Sequence, residues 1–425
     1  MQGWRQLDVA VRYTLADAVF SGLLVTPLAV LFTVGTEAII RRVSIDHAPL
    51  TTSVLLLLAA IAVQFAAGYH QRDIAAWISR QPEVCAEAAA RVYIYVYAIA
   101  NVCHYTALDE LFDVYAESDE DGGLQTALKL LVSSIVVLAG LRCCRNVIGP
   151  PLYVAIDTEG TESVVETSTL FGVEAQKTTQ GALDILATVI AVETSVVLHW
   201  IALWRIYDVI IFPQHDWLSA LISWAVGYAV VTTAVYRQSD AIEMSKRLED
   251  DPLPVKRLVF EDAYIMAANA GCVLVWRGWW LFFEGIIYYF PAYCRDGISD
   301  CSLSYAHFFP FVLLSLCYTS ATLLSKGVDR VGEVTHGEGV RFPIQFFSVY
   351  FSEDIARAKD DSDAGRQNRE TARSTTRAGR QRKFSPARED TKYPHSRRYS
   401  PRRSSPGSRL VDRNSFTRRQ TRFED

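Results

Sequence analysis

Eight long apolar runs constrain this chain more than any other feature of its sequence. A helix that crosses the roughly 30 Å hydrocarbon core of a bilayer needs about 20 mostly apolar residues, and each run approaches or reaches that length. Eight such runs with short polar gaps leave too little polar surface for a soluble protein. The sequence therefore predicts an all-α polytopic membrane protein with about eight transmembrane helices. The runs lie near Ala16–Ile40, Thr51–Tyr69, Val84–Leu108, Leu124–Leu141, Ala182–Trp204, Trp217–Tyr236, Asp262–Phe290 and Leu303–Ser325.

Charges in the gaps predict how the runs are oriented. Cytoplasmic loops carry an excess of Lys and Arg. The gaps after the second, fourth and sixth runs are basic, whereas the gap after the third run, which begins at Asp109, contains only acidic charges. With eight spans, both termini are then cytoplasmic. Arg41 and Arg42 fall on the outer side, where their long side chains can reach the interface. The first run is long and lacks a small-residue cleavage site, so we interpret it as an uncleaved signal anchor.

Matches between the two halves of the chain indicate an internal duplication. Tyr69–Asp73, at the end of the second run, resembles Tyr236–Asp240, at the end of the sixth. We interpret residues 1–180 and 181–351 as two four-helix repeats. An even number of helices per repeat gives both the same orientation, so the repeats are predicted to be parallel, with their axis along the membrane normal. At a slightly larger offset, further matches pair Asp109 with Glu284, Val165 with Val340 and Phe171 with Phe346.

Four charged residues lie inside the apolar runs and are candidates for function: Arg277, Glu284, Glu193 and Arg91. An ionised group at the centre of a membrane helix costs about 2.5–3.5 kcal/mol on insertion scales, so these side chains are expected to face protein or water. Glu284 is seven residues after Arg277, on the same face of the helix. Two interpretations stay open: an intramembrane ion pair or solute site, or a structural anchor between helices.

The cysteines are candidates for modification and not for metal binding. Cys294 and Cys301 share the gap between the seventh and eighth runs, which is predicted to be oxidising, so they are candidates for a disulfide. Cys143 and Cys144 follow the fourth run at its cytoplasmic end, where reversible palmitoylation occurs; the alternative is two interior thiols. No metal-ligand spacing, nucleotide-binding loop or catalytic motif is present. We therefore predict no cofactor and no enzymatic activity.

The segment 352–425 differs from the rest of the chain in charge and hydrophobicity. It carries 20 Lys/Arg against 11 Asp/Glu and has no apolar periodicity, so we expect a disordered cytoplasmic tail. Its Arg/Ser-rich cluster includes Ser400, Ser404 and Ser405, which are candidate phosphorylation sites. Basic residues beside an anionic leaflet contribute about 1 kcal/mol each, and phosphorylation would subtract from that attraction. We favour anionic lipid head groups over nucleic acid as the partner, because the tail is tethered to a membrane.

The chain resembles the fuseless family of invertebrate eight-pass membrane proteins. The resemblance rests on the element Trp276–Trp280 followed by Glu284, on the segment Arg145–Leu152 and on the element Arg341–Pro343, and it covers about Gly3 to Ile355. The Trp-Arg-Gly element is intact only in the seventh run: the fifth run has Trp-Arg-Ile-Tyr, and the first run lacks both Trp and Arg. The resemblance implies a presynaptic plasma-membrane protein that organises the active zone and supports calcium-channel placement and transmitter release.

Two functional hypotheses follow. The first is a non-enzymatic organiser, whose cytosolic loops and tail bind scaffold or channel proteins while its helices sit in the lipid bilayer. The second is a secondary transporter of a small solute or ion, which is motivated by parallel repeats and by the charged residues within the apolar runs.

Overall fold

In the computed structural model, a helix forms at each of the eight apolar runs. A continuous apolar segment in a membrane can satisfy its backbone hydrogen bonds internally only as a helix. A π-helical turn, Ser21–Val25, precedes the first helix, and another, Thr188–Glu193, joins the two parts of the fifth. The helices are α1 (Thr26–Ile40), α2 (Pro49–Ile78), α3 (Glu83–Ala116), α4 (Leu124–Gly140), α5 (Thr179–Ala187 and Thr194–Ile210), α6 (Asp216–Glu249), α7 (Pro254–Tyr289) and α8 (Asp300–Leu316).

The structure describes residues 16–45, 49–116, 123–157, 164–173, 177–249, 254–289, 300–326, 328, 339–344, 346 and 347. These residues contain no β-strand, and their one β-type contact is an isolated parallel bridge between Val154 and Ile344. The chain divides into two compact units, Met1–Asp360 and Asp361–Asp425, and every described residue belongs to the first. The tail with Ser400, Ser404 and Ser405 lies outside the described residues, so the predictions made for it are untested.

The all-helical prediction is confirmed, and five of the helices are long and apolar enough to cross a membrane. α4 and α8 are apolar but have only 17 residues each among those described. α3 is 34 residues long, but its tyrosines, Asn101 and His104 lower its hydropathy. Apolar side chains are also turned outward: on α4, Val132 is 61% and Val136 is 65% exposed, a surface suited to lipid and not to water. The five candidate spans are Ala16–Val43, Leu50–Ile78, Thr179–Ile210, Asp216–Glu249 and Val255–Ile286.

The helices pack as close pairs. α2 lies along α3, α6 along α7, α4 along α5, and α8 along α1. Glycine permits the closest approaches: a Cβ added to Gly35 would lie 2.6 Å from the carbonyl carbon of Ala306, and one added to Gly227 would lie 2.7 Å from the Val275 nitrogen. Small residues at such crossings let two helix backbones approach closely. In addition, α1 contacts α7, and α5 contacts α3.

Two non-helical stretches complete the core. We call the described residues of 141–173, after α4, the first exit segment, and those of 317–347, after α8, the second exit segment. The second residue of each has a positive φ, Arg142 (59°) or Tyr318 (54°), and a short 3-10 helix follows, Cys144–Val147 or Ser320–Leu323.

The two exit segments bind each other. The Val154 amide donates to the Pro343 carbonyl at 3.0 Å, and the Val328 amide donates to the Ser168 carbonyl at 2.8 Å. Val154 and Ile344 are buried in the largest apolar cluster, among side chains of α1, α4, α5, α6 and α7. The exit segments therefore form part of the core at one end of the helix bundle.

Candidate functional site

A cavity of about 670 Å³ lies between α1, α3, α5, α7 and the two exit segments. This volume falls in the range of small-molecule binding pockets. Its mouth is at the exit segments, where the lining residues Glu166, Ser168 and Ser325 are exposed. Thr33 of α1 and Tyr105 of α3 line it further along the helices. The cavity is therefore shared by both halves of the chain.

Four tryptophans form one wall of the cavity. Trp200 and Trp204 are one turn apart on α5, and Trp276 and Trp280 are one turn apart on α7. Trp200 meets Trp276 edge to face, with ring centroids 5.4 Å apart, and Trp204 meets Trp280 in the same way at 5.3 Å. This geometry is the one that aromatic quadrupoles favour. The result is a two-rung aromatic ladder between α5 and α7.

Hydrogen bonds fix the ladder to the first exit segment. Trp200 donates its Nε1–H to the Val147 carbonyl at 2.9 Å, and Trp276 donates its Nε1–H to the Pro150 carbonyl at 2.7 Å. Because these indole N–H groups are satisfied by the backbone, the two side chains offer ring surface and no hydrogen-bond donor to the cavity.

Two cationic side chains line the cavity near its mouth, and both are held by backbone carbonyls. Arg145 donates to the carbonyl of Arg341 at 2.7 Å and to that of Gly339 at 3.5 Å. Lys326 donates to the Val164 carbonyl, and its Nζ lies 5.8 Å from the centre of the Tyr93 ring. Burial lowers the pKa of Lys326 to about 7, although the charges of Glu166 and Glu193 oppose the shift.

A chain of buried polar groups reaches the cavity wall from α2 and α5. Asn101 lines the cavity and donates to the Leu323 carbonyl at 3.3 Å, while its Oδ1 accepts from Gln64 at 3.0 Å. The Oε1 of Gln64 lies 3.0 Å from Nδ1 of His104, whose Nε2 lies 3.1 Å from the Thr194 hydroxyl. Such a network is stable inside an apolar bundle only because its members satisfy one another.

At the end of the helices far from the exit segments lies a cluster of charges, which we call the ion cluster. Asp109 of α3 accepts from Arg41 at 3.0 Å and from Arg205 of α5 at 2.8 Å. The ion cluster thus links both halves of the chain at the end opposite the cavity mouth. Its other members are Glu37 and Glu110, both paired with Arg41, and Asp113, paired with Arg205.

Arg277 pairs with none of the other three predicted charged residues. Its Nε donates to Asp208 of α5 at 2.8 Å, and its NH1 donates to the hydroxyls of Ser219 and Ser223 of α6, each at 2.8 Å. Glu284 lies beside Trp280, within electrostatic reach of Asp208 and Arg41. Arg277 is 3% exposed and does not line the cavity.

Glu193 and Arg91 are likewise in separate surroundings. The Tyr97 hydroxyl donates to Glu193 at 3.5 Å. Arg91 pairs with Asp157 of the first exit segment and donates to the Ser320 hydroxyl of the second at 2.9 Å. The four residues therefore do not form one site, and Arg91 and Arg277 each join several elements of the fold.

The cysteine predictions have separate outcomes. Cys143 and Cys144 are 1% and 2% exposed, and burial raises the pKa of the Cys144 thiol to about 12. The structure thus places them as interior thiols, which no acyltransferase reaches in this conformation. Cys294 lies outside the described residues, and the side chain of Cys301 is not described either, so the disulfide stays a prediction. The described residues contain no group of His, Cys, Asp and Glu arranged to hold a metal ion.

Sequence reasoning missed the aromatic ladder and the partners of the buried arginines. A signal for the ladder exists, because a Trp-x-x-x-Trp spacing occurs in both the fifth and the seventh runs, and that spacing puts two indoles on one helix face. No comparable signal links Asp157 to Arg91 or Asp208 to Arg277, because each pair is distant in sequence.

Comparison with known protein families gives a match over most of the chain. The family model described as Fuseless matches residues 12–324. No curated protein matches the chain, and no solved structure does.

Proposed function

Because the chain belongs to the Fuseless family, we propose that it is a non-enzymatic, multi-pass membrane protein that organises presynaptic active zones. In this role it supports calcium-channel placement and synaptic transmission. The family match over residues 12–324 carries the proposal. The apolar helices and the family together fit an integral membrane protein. We propose in addition that it lies in the plasma membrane, crosses it eight times and has both termini in the cytoplasm.

We further propose that the bundle consists of two parallel four-helix repeats. Corresponding side-chain caps support this. Gln71 of α2 accepts from the Thr167 amide at 2.5 Å, and Gln238 of α6 accepts from the Phe342 amide at 2.7 Å. Similarly, Asp184 accepts from the amides of Phe171 and Val173, and Asp17 accepts from those of Phe346 and Phe347. The contacts between helices repeat as well. The α2–α3 contact corresponds to α6–α7, α4–α5 to α8–α1, and α1–α7 to α5–α3.

The π-helical turns add a second correspondence. A π turn leaves a backbone carbonyl to be satisfied by another group. The Gly22 carbonyl accepts from the Tyr228 hydroxyl at 2.6 Å, and the Val189 carbonyl accepts from the Thr194 hydroxyl at 3.3 Å. In each case a ring from the neighbouring helix pair contacts that hydroxyl: Trp279 donates to Tyr228 at 3.0 Å, and His104 lies 3.1 Å from Thr194.

The surroundings of the intramembrane charges favour an organiser over a carrier. Arg277 is neutralised by Asp208 and hydrogen-bonded to two serines of α6. Arg91 joins α3 to both exit segments. Charges held in this way seal contacts between helices and stabilise one arrangement of the bundle, which suits a rigid platform for partner proteins.

The test is rescue of synaptic function in invertebrate neurons that lack their own family member. The full-length chain is expected to restore calcium-channel density at active zones and evoked transmitter release. A chain that lacks Asp360–Asp425 is expected to reach the membrane but to localise poorly at active zones. A full-length chain that reaches the membrane without restoring either quantity would overturn the organising role. Full rescue by the truncated chain would show that the tail is not needed for the organising role and would leave that role itself intact.

One observation favours the carrier as a second candidate: the central cavity opens at one end of the bundle, and the ion cluster closes the other. Substrate sites of transporters with repeated halves lie at the interface between the halves. A carrier predicts solute-dependent flux in proteoliposomes, which Thr33→Phe would block by filling the cavity. Arg277→Leu removes the buried charge of α7, and a carrier that uses this charge would lose its flux in that variant. If the parent protein shows no flux, the carrier is excluded.

A further inference from the structure

We propose that the central cavity binds a small organic cation, an ammonium ion that carries an apolar or aromatic body. The proposal concerns binding alone and is independent of the organising role. It rests on the size of the cavity, on its aromatic walls and on the distribution of charge around it.

The walls suit a cation with an apolar body. Trp204 and Trp280 of the aromatic ladder face the cavity together with Tyr105, whose ring centroid is 6.4 Å from that of Trp280. The face of an indole attracts a cation more strongly than any other side-chain ring, and clusters of aromatic rings are used to recognise quaternary ammonium groups. At about 670 Å³, the cavity has room for an ammonium group and an attached ring.

The mouth carries charges of both signs. Arg145 and Lys326 are bound to backbone carbonyls of the exit segments, so their donors are engaged, but these neutral partners leave the positive charge of Arg145 in place. Glu166, by contrast, is exposed and forms no ion pair with any of the described residues. Its carboxylate therefore offers a negative charge at the mouth to a ligand that enters from the exit-segment end.

The far end of the cavity carries an excess of acid. Trp280 and Tyr105 lie beside the ion cluster, where the carboxyl groups outnumber the guanidinium groups. An ammonium group near the ladder would be drawn towards this end, because charge interactions are strong where water is excluded. The carboxyl groups are those of Glu37, Asp109, Glu110 and Asp113, and the guanidinium groups are those of Arg41 and Arg205.

The experiment compares three probes of the same shape. Full-length protein in nanodiscs is titrated with benzyltrimethylammonium, with its uncharged carbon isostere neopentylbenzene, and with the anion phenylmethanesulfonate. Binding is followed by calorimetry and by tryptophan fluorescence, and empty nanodiscs serve as the blank. We expect saturable binding of one ammonium ion per chain, and binding of the other two probes to be at least about tenfold weaker, since charge and cation–π attraction are both lost.

Three substitutions at the cavity and one control on α4 locate the site. Thr33→Phe fills the cavity and should abolish binding, whereas Val132→Phe adds the same ring to the exposed face of α4 and should not change it. Glu166→Gln removes the charge at the mouth and should weaken binding about fivefold at low salt. Because Glu166 is exposed, this variant is expected to fold normally, and its elution on size exclusion checks this. Trp204→Leu should weaken binding of the ammonium ion about tenfold.

The outcomes are decisive in both directions. Absence of saturable ammonium binding, or equal or tighter binding of the isostere or the sulfonate, would overturn the proposal. So would unchanged binding in folded Thr33→Phe. A negative binding result would rule out the ligand site without bearing on the organising role. Failure of synaptic rescue would rule out the organising role without bearing on ligand binding.

Discussion

The guanidinium of Arg277 on α7 and the carboxylate of Asp208 on α5 form an ion pair with an N–O distance of 2.8 Å. The Arg277 side chain is 3% exposed, whereas that of Asp208 is 37% exposed, so a buried cation meets an acid that keeps part of its hydration. With Ser219 and Ser223 of α6 as further acceptors, this one side chain connects three helices.

Removing the acid from this pair is expected to destabilise the bundle. Asp208→Asn leaves the Arg277 charge buried and uncompensated, which costs about 3 kcal/mol at the lower end of the range for buried pairs. The partial exposure of Asp208 argues for that lower end. The measurement is thermal unfolding of the purified protein in detergent, followed by tryptophan fluorescence.

The matched control is an ion pair on the surface of α6. Arg247 and Glu243 also approach closely, at 2.6 Å, but their side chains are 69% and 65% exposed. Exposed pairs contribute about 0–1 kcal/mol, so Glu243→Gln should shift the midpoint only slightly. Equal shifts in the two variants would show that the Arg277 pair does not hold the helices together.

Glycine at the α1–α8 crossing gives a second prediction. A Cβ at position 35 would lie 2.6 Å from the backbone of Ala306, which cannot move aside as a flexible side chain can. Gly35→Ala should therefore destabilise by about 1–3 kcal/mol, the usual cost of overpacking. Gly140, at the end of α4, has no atom within 4 Å of such a Cβ, so Gly140→Ala should be neutral or slightly stabilising. Thermal unfolding of both variants decides between steric contact and helix propensity.

The positions of the helices could be predicted from the sequence, but the residues that join them could not. Apolar runs reveal helices because burial and lipid both select apolar side chains over the length of a span. The partner of Arg277 depends on which helices touch, and Asp208 lies 69 residues away from it. Arg91 illustrates the same limit, because its partner Asp157 belongs to a non-helical segment with no periodicity to indicate it.

The exit segments contain two of the residue pairs on which the proposed repeat rests. The sequence pairs Val165 with Val340 and Phe171 with Phe346, and all four residues lie in the exit segments. The amides of Phe171 and Phe346 are capped by Asp184 and Asp17, respectively. What the alignment could not give is that the two segments bind each other, because backbone hydrogen bonds such as that from Val154 to Pro343 leave no trace in side-chain chemistry.

Thiol labelling tests the burial of the adjacent cysteines. In variants that retain either Cys85 alone or Cys143 and Cys144 alone, a polar maleimide should react rapidly with exposed Cys85. Cys143 and Cys144 should react only after unfolding, because they are buried and only the thiolate attacks. The same protection predicts that acyl-exchange assays detect no palmitate on them. Rapid labelling or acylation of the pair in folded protein would contradict their placement in the core.

The orientation inferred from basic gaps is a separate prediction. In a cysteine-free background, a single cysteine in place of Glu120 should react with a membrane-impermeant maleimide on intact cells, because the acidic gap is expected outside. A cysteine in place of Lys246, at the end of α6, should react only after the membrane is permeabilised. The reverse pattern, or labelling of both from outside, would contradict eight spans with cytoplasmic termini.

Lys326 is expected to make stability depend on pH. Burial lowers its pKa from 10.5 to about 7, while Glu166 and Glu193 oppose the shift and the Tyr93 ring lies against the ammonium group. Between these two pKa values, the unfolded chain binds a proton that the folded protein does not, so stability should rise as the pH increases from 7 towards 10.5. The slope is at most about 1.4 kcal/mol per pH unit. Thermal midpoints between pH 7.5 and 9.5 should therefore increase.

Replacing Lys326 separates its contribution to the pH dependence of stability from that of other titrating groups. Lys326→Met removes the proton that the unfolded chain binds, so the midpoint should be higher than that of the parent at pH 7.5 and should lose most of its increase with pH. The matched control is Lys246→Met on α6, where the lysine is exposed, and its pH profile should follow that of the parent. Parallel profiles for the parent and Lys326→Met would mean that the ammonium group is solvated in the folded protein, and would place Lys326 outside the wall of the cavity.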